Sequence, residues 1–401
     1  MPRDTPHQAS PAPDKGTRRG AAPPTRIAFL IRSLNPGGAE TQLVALAGGL
    51  VARGCEVRVV TYYPGGQLAP RLAAAGVELV SLGKRTRWDL LGFGRHLIAE
   101  LRRFRPHVLH CFLETSNVLG ALVAPLLRGT RLVWGVRSSN MDAGRYGLVW
   151  RLVLLTERML VRRPDAIVSN SQAGMRHRVD LGWPAQRIRV IPNGIDTDRF
   201  LLRPDARRDI RQRLGVAEDH VLIGQVARLD PMKDHLTLLQ ATARLDPSRR
   251  DVWLVVVGDG PHGRQSQLVE AARQLGIAER VLWLGERLDV PDILNALDIH
   301  VLASAYGEGF PNAVAEAMAT GLPCVVTNVG DAAEVVGDAG FTVPPRDPAA
   351  LAVALDRLVT MPAATRRELG QQGRQRILDH YSVGRMVEES LCLYQTLADD
   401  L

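Results

Sequence analysis

The chain has 401 residues, 46% of them hydrophobic and 23% charged, and a formal net charge of +8. That length exceeds one ordinary domain and the composition is globular, so two domains are expected. There is no long apolar run and no apolar stretch near Met1, and the four cysteines have no paired spacing, which argues against a spanning helix, a signal peptide, a disulfide framework and a structural zinc, and for a reducing cytoplasm.

Residues 1–25, rich in Pro, Ala and charge, read as a disordered tail. From Arg26 onward, short β-rich runs alternate with amphipathic stretches. Strands are predicted at 27–32, 57–62, 77–80, 107–111, 131–135, 166–170 and 189–191. Helices are predicted between most of them, at 41–53, 91–104, 115–127, 145–163 and 171–181. Apolar strands alternating with helices indicate a parallel sheet covered on both faces, and right-handed crossovers make it doubly wound. Pro192-Asn193-Gly194 interrupts the series, and a polar, Arg-rich stretch follows to residue 219. The alternation then restarts, with strands at 221–227, 252–257, 281–284, 299–303 and 323–327. The expected fold is α/β, with two Rossmann-like domains at 26–200 and 201–380 facing a central cleft. A last segment, 381–401, holds a helix at 383–397 placed to cross back onto the first domain.

The charge is uneven. Residues 26–200 carry net +13 and residues 201–401 net −7. Only three of the 50 basic residues are lysines: Lys15, Lys84 and Lys233. Gly37 and Gly38 follow the first strand and open a helix, which suits either an anion at the helix N-terminus or simply a tight turn. Arg228 and Lys233 follow the strand at 221–227. A guanidinium fork and an ammonium at a strand's carboxyl end fit a diphosphate; the alternative is a pair of solvated charges. In a chain that writes arginine nearly everywhere, a lysine at that position favours the diphosphate. Residues 304–323 run from a strand end through a Gly loop into a helix. Glu308 stands in the loop and Glu316 inside the helix among Ala and Val, where carboxylates accept hydrogen bonds from hydroxyl pairs of ribose or hexose.

These motifs together resemble the GT-B glycosyltransferases, specifically the retaining family 4 group (glycosyl transferases group 1). The resemblance runs from Arg26 to about Leu397. It rests on the Gly-Gly turn, on Val190 to Asp196, on Arg228 with Lys233, on Val257 to Pro261, on the paired glutamates and on Gly330 to Glu334. It implies that Arg228 and Lys233 clamp the diphosphate of a nucleotide sugar, that Glu316 holds the ribose and that Glu308 contacts the hexose. It further implies that Gly309, Phe310, Pro311 and Asn312 supply backbone around sugar and phosphates, that Gly37 and Gly38 approach the diphosphate, and that Arg287 lies at the base edge. Retention of configuration without a bound metal or other cofactor is part of the same expectation, with a UDP-sugar as the expected donor.

Two positions stay open. His110 either touches the donor sugar or is a packed strand-end histidine. Arg137, followed by Ser138-Ser139-Asn140, is an acceptor or donor contact or a loop charge. The helix from Leu148 to Arg163 mixes apolar bulk with arginines. It either lies on an anionic membrane or packs in the core with a basic edge. The expected activity is transfer of a hexose to a glycan or lipid-linked acceptor in cell-surface polysaccharide synthesis, with a possible anionic membrane surface as partner of the basic domain. The alternatives are a nucleotide-sugar epimerase of the same fold, a catalytically dead sugar-nucleotide binder and a nucleic-acid-binding protein. The last lacks a recognition motif and has an acidic second half.

Overall fold

A computed structural model describes residues 24–84, 89, 91–137, 147–246, 248, 249 and 251–400. The tail reading up to residue 23, Ser138 to Asn140, and the first two residues of the helix predicted at 145–163 lie outside them.

The first domain runs β1 (Arg26–Ile31), α1 (Gly38–Val51), β2 (Glu56–Thr61), α2 (Ala69–Ala74), β3 (Glu78–Ser81), α3 (Leu91–Phe104), β4 (Val108–Phe112), α4 (Glu114–Val123), β5 (Arg131–Val136), α5 (Leu148–Leu160), β6 (Ala166–Ser169), α6 (Gln172–Asp180) and β7 (Ile188–Val190). All seven strands are parallel, in the order β3-β2-β1-β4-β5-β6-β7. The reason is visible in β1. Ile27, Phe29 and Ile31 join the core on one face of the sheet, and Ala28 and Leu30 the core on the other. A strand apolar at every position has two faces to cover, and helices on both sides cover them. In α1, Leu43, Leu46, Ala47 and Leu50 recur at helical spacing and are buried against the sheet.

The second domain continues with α7 (Pro204–Leu214), β8 (Val221–Val226), α8 (His235–Thr242), β9 (Val252–Val257), α9 (Arg264–Gln274), β10 (Val281–Gly285), α10 (Val290–Ala296), β11 (Ile299–Leu302), α11 (Asn312–Ala319), β12 (Cys324–Thr327), α12 (Ala332–Val336), β13 (Gly340–Val343), α13 (Pro348–Thr360) and α14 (Ala363–His380). Its parallel sheet is ordered β10-β9-β8-β11-β12-β13, the same winding as the first. Edge strand β13 went unread in the sequence. It is four residues long and starts on Gly340, where a Cβ would meet the Cys324 carbonyl at 2.2 Å.

Helix α15 (Val383–Asp399) leaves the second domain and packs on α1. Its Met386, Val387 and Tyr394 are part of the first domain's core. The crossing is pinned where Ile195 donates its N–H to the Tyr381 carbonyl and accepts from Val383. Among the described residues no helix is long and apolar enough to cross a membrane.

Candidate active site

In a doubly wound sheet, ligands bind beyond the carboxyl ends of the strands where the winding reverses. Here those points lie between β1 and β4 in one domain and between β8 and β11 in the other. The loops after these four strands face one another across a cavity of about 420 Å³. Its walls include Gly38 after β1, Leu113 after β4, Arg137 after β5, Arg228 and Lys233 after β8, and the stretch from Tyr306 to Ala313 after β11.

The β8 loop is held by its own side chains. Asp230 accepts from the Met232 N–H, capping a 3-10 turn at Pro231–Lys233. Asp234, in the left-handed conformation, caps α8 by accepting from Thr237. The fully buried Gln225 reaches out of β8 and donates to the Lys233 carbonyl at 3.1 Å. Lys233 donates from Nζ to Glu308 Oε1, and Ser304 Oγ donates to the same oxygen at 2.5 Å. Glu308 is 6% exposed. The arginine differs. Arg228 is exposed at the cavity wall and its guanidinium has no hydrogen bond or ion pair among the described residues.

The loop after β11 is shaped by Gly330. Its φ is +63°, and a Cβ there would lie 2.5 Å from the Glu308 carbonyl, so only glycine lets the loop before α12 support the Glu308–Gly309 turn. Phe310 packs on Tyr381, Pro311 is the N-cap of α11, and Asn312 opens the helix into the cavity. In that first turn the Ala313 N–H has no acceptor among the described residues, and with the helix dipole it favours an anion there.

Across the cleft, Arg137 is partly buried, stacks on Phe112 at 4.3 Å and donates from Nη1 to Asn193 Oδ1 at 3.1 Å. Its Nε is buried without a partner among the described residues. Desolvation pulls its pKa down to about 10, so it stays charged at neutral pH. Asn193 in turn donates to Asn312 Oδ1 at 2.8 Å, which joins the two domains. Asp331, from the second domain, accepts from the N–H groups of Gln172 and Ala173 at 2.7 and 2.8 Å and so caps α6 of the first.

The structure thus gathers Gly38, Arg137, Arg228, Lys233, Glu308, Gly309, Phe310, Pro311 and Asn312 around one cavity. Other expected site residues lie elsewhere. Gly37 is the N-cap of α1, one residue behind the wall. Glu316 is one turn along α11 from Asn312, on the same face but outside the lining. One open position is decided, for His110, and one expectation is corrected, for Arg287. His110 is 1% exposed, its ring rests against Phe29 and Phe112, and Nδ1 bonds the Tyr394 hydroxyl at 2.6 Å. Burial and Arg137 hold its pKa well below the usual range, so it is a neutral packed residue beneath the cleft. Arg287 gives its fork to Asp289 on an exposed turn after β10, the strand at the sheet's edge, and does not reach the cavity.

Sequence reasoning assigned no role to Leu113, Ser304, Asn193 or Asp331. Asn193 and Asp331 do sit in motifs that stood out. Leu113 gave no signal: its φ of +72° is a conformation that a leucine adopts only where the surroundings impose it.

Comparison with known proteins agrees with this geometry. Residues 36–199 match the model for Glycosyltransferase Family 4, and residues 206–376 that for Glycosyl transferases group 1. The D-inositol 3-phosphate glycosyltransferase of Geodermatophilus obscurus is 30% identical, with 96% of this chain aligned to 92% of that one. The chain belongs to the family 4, group 1 glycosyltransferases. It is also similar to the lipopolysaccharide core biosynthesis mannosyltransferase LpsB of Rhizobium meliloti, at 35% identity over 45% of this chain and 50% of that one. The structure of Anabaena Alr3699/HepE in complex with UDP has the same fold, with a TM-score of 0.81 at 24% identity over 93% of this chain and all of the other. The glycosyltransferase is therefore of GT-B type, two parallel-sheet domains closing on one cleft.

Proposed function

We propose that this glycosyltransferase moves a hexose from a UDP-sugar to a hydroxyl of a glycan or lipid-linked acceptor, with retention of configuration and without a metal ion, in cytoplasmic synthesis of cell-surface polysaccharide. The observation that carries the reading is the second domain's wall. Arg228, with no hydrogen bond or ion pair among the described residues, Lys233 tied to Glu308, and the N-terminus of α11 converge on one cavity. Charge develops on the leaving diphosphate as the C1–O bond breaks, and preorganised cations and N–H groups stabilise it there. Glu308 contacts the hexose and Glu316 the ribose. Arg137, across the cleft with its Nε unpartnered among the described residues, meets an anionic group of the acceptor. The acceptor hydroxyl attacks C1 from the face the diphosphate leaves, and its proton passes to the departing phosphate oxygen. The uridine assignment is supported by the HepE structures, which hold UDP and UDP-glucose. The acceptor class is supported by the relatives, whose names give D-inositol 3-phosphate and lipopolysaccharide core.

The test is a panel of nucleotide sugars scored for release of nucleoside diphosphate with and without lipid acceptors. Acceptor-dependent UDP release, with an unchanged rate in EDTA, is the expected result. Interconversion of free donor, or a strict need for an added divalent ion, overturns the reading.

The reading also fixes a pH dependence. Burial raises the pKa of Glu316 to about 7, against a small opposing pull from Arg199. The charged carboxylate is the form that accepts from both ribose hydroxyls. Donor kcat/KM should therefore fall as pH drops below 7, by up to about tenfold per unit, because this parameter titrates the free enzyme. Saturating kcat should fall less, since bound ribose favours the charged form. Glu316→Gln should flatten the acid limb. A limb unchanged in that variant assigns the titration to another group.

A further inference from the structure

One face of helix α5 is left uncovered by the described residues. Val149, Leu152, Leu155 and Met159 are between 52% and 76% exposed and fall within one arc of the helix. Of the two readings of this stretch, packing in the core does not hold for these four residues. Their face continues onto α4, where Leu122 and the following Leu126 are 55% and 48% exposed. The two helices pack together, and Arg163 at the end of α5 donates to the Ala121 carbonyl of α4. Monomeric proteins seldom leave a contiguous apolar patch open without a partner.

Among the described residues the charge along the patch is of one sign. Arg151 and Arg158 are exposed along one edge of α5 at helical spacing, and Arg162 is exposed just beyond its C-cap. The one acid in α5, Glu157, points the other way, buried against Asn117 and Arg178. At the far end a cavity of about 590 Å³ between α3 and the segment before β5 is lined by Arg102, Arg105 and Arg128 over a floor of leucines. Apolar side chains flanked by arginines match an interfacial helix face on an anionic bilayer.

We propose that the α4–α5 face docks the enzyme on an anionic lipid surface, the arginines at the headgroups and the leucines, valine and methionine below them. The topology gives this a use. Helix α5 follows β5, whose carboxyl end carries Arg137 at the cleft, so Val149 lies at the cleft end of the stripe and Met159 at the other. The docked face delivers membrane-borne substrate to the cleft edge. The proposal does not depend on which nucleotide sugar is used.

The test is sedimentation of the full chain with phosphatidylcholine vesicles containing about 30% phosphatidylglycerol, and with pure phosphatidylcholine, at about 0.05 M and about 0.5 M salt. Donor is omitted, so the outcome is separable from that of the activity assays. The wild type should bind the anionic vesicles and lose most binding in high salt. The triple variant Arg151→Gln, Arg158→Gln, Arg162→Gln should bind about a hundredfold more weakly, at about fivefold per arginine. Leu152→Ser, Leu155→Ser, Met159→Ser should lose the fraction that resists salt. All six positions are exposed and outside the cleft, so UDP release with soluble acceptor should be unchanged in both. A wild type that stays in the supernatant at low salt overturns the proposal, as do variants that sediment like wild type. A wild-type dimer that the serine variant dissociates in sedimentation velocity assigns the face to a second copy of the chain and overturns it too.

Discussion

Arg228→Ala should fold like the wild type and turn over its donor about 10²- to 10³-fold more slowly, the range seen when one preorganised donor to a developing anion is removed. The two halves of that expectation have separate origins. Arg228 is exposed and makes no hydrogen bond or ion pair among the described residues, so its removal leaves nothing unsatisfied, and the stability change should stay within about 0.5 kcal/mol. Its fork is open toward the cavity. On the proposed reading it finds its partner only in the donor, and most strongly as the diphosphate leaves. The loss should therefore be seen in kcat and kcat/KM together rather than in KM alone. Arg228→Lys restores charge without the bidentate fork and should recover part of the rate. Steady-state UDP release with urea unfolding of each variant checks both halves. Near wild-type turnover in a folded Arg228→Ala protein removes Arg228 from the clamp.

The winding and the β8 loop were legible because both are local. Five consecutive apolar residues in β1 announce a strand buried on two faces. A lone lysine after β8 stands out in a chain with three lysines. The Lys233–Glu308 pair was not legible as a pair. It joins residues 75 apart that meet because β8 and β11 are neighbours at the point where the sheet reverses. The same sheet order explains the misplacement of Arg287. It too follows a strand, but β10 lies two strands from β8, and Asp289 two residues on offers a nearer partner. Of the two readings of His110, the packed one holds, and the reason is phase. It lies two residues before the end of β4 and shares a face with Val108 and Phe112, which belong to the core that α15 helps to close. The partner that makes it a packed histidine, Tyr394, comes from 284 residues away.

The net charge follows the same division between near and far. Residues 201–401, with a net −7, carry Arg228 and Lys233. Two oriented cations in a cleft act on a diphosphate at contact distance, where the domain's diffuse charge is screened within a Debye length of roughly 8–10 Å. Of the +13 carried by residues 26–200, the exposed Arg151, Arg158 and Arg162 border the open face of α5.

Glu308→Gln should be the second severe variant, and its signature should depend on the donor. The substitution keeps the volume and the Ser304 hydrogen bond but removes the charge that Lys233 meets. Lys233 is partly buried, so an ammonium left without its counter-ion costs stability, here about 1–3 kcal/mol, since the cleft still admits water. The vacated ammonium is also the group that the diphosphate would neutralise. Added UDP should therefore raise the Tm of Glu308→Gln more than that of the wild type, because binding to the folded state alone offsets the unpaired charge. Turnover should fall about 10²-fold or more even so, since on the proposed reading the hexose has lost its carboxylate and Lys233 its tether. Lys233→Met should lose turnover as well but gain little from UDP. In the double variant the two stability losses should fail to add, with a coupling of about 1–3 kcal/mol, because each single change already breaks the same pair. Additive losses, together with equal UDP-induced Tm shifts in the wild type and Glu308→Gln, would mean that the pair neither positions Lys233 nor competes with the diphosphate for it.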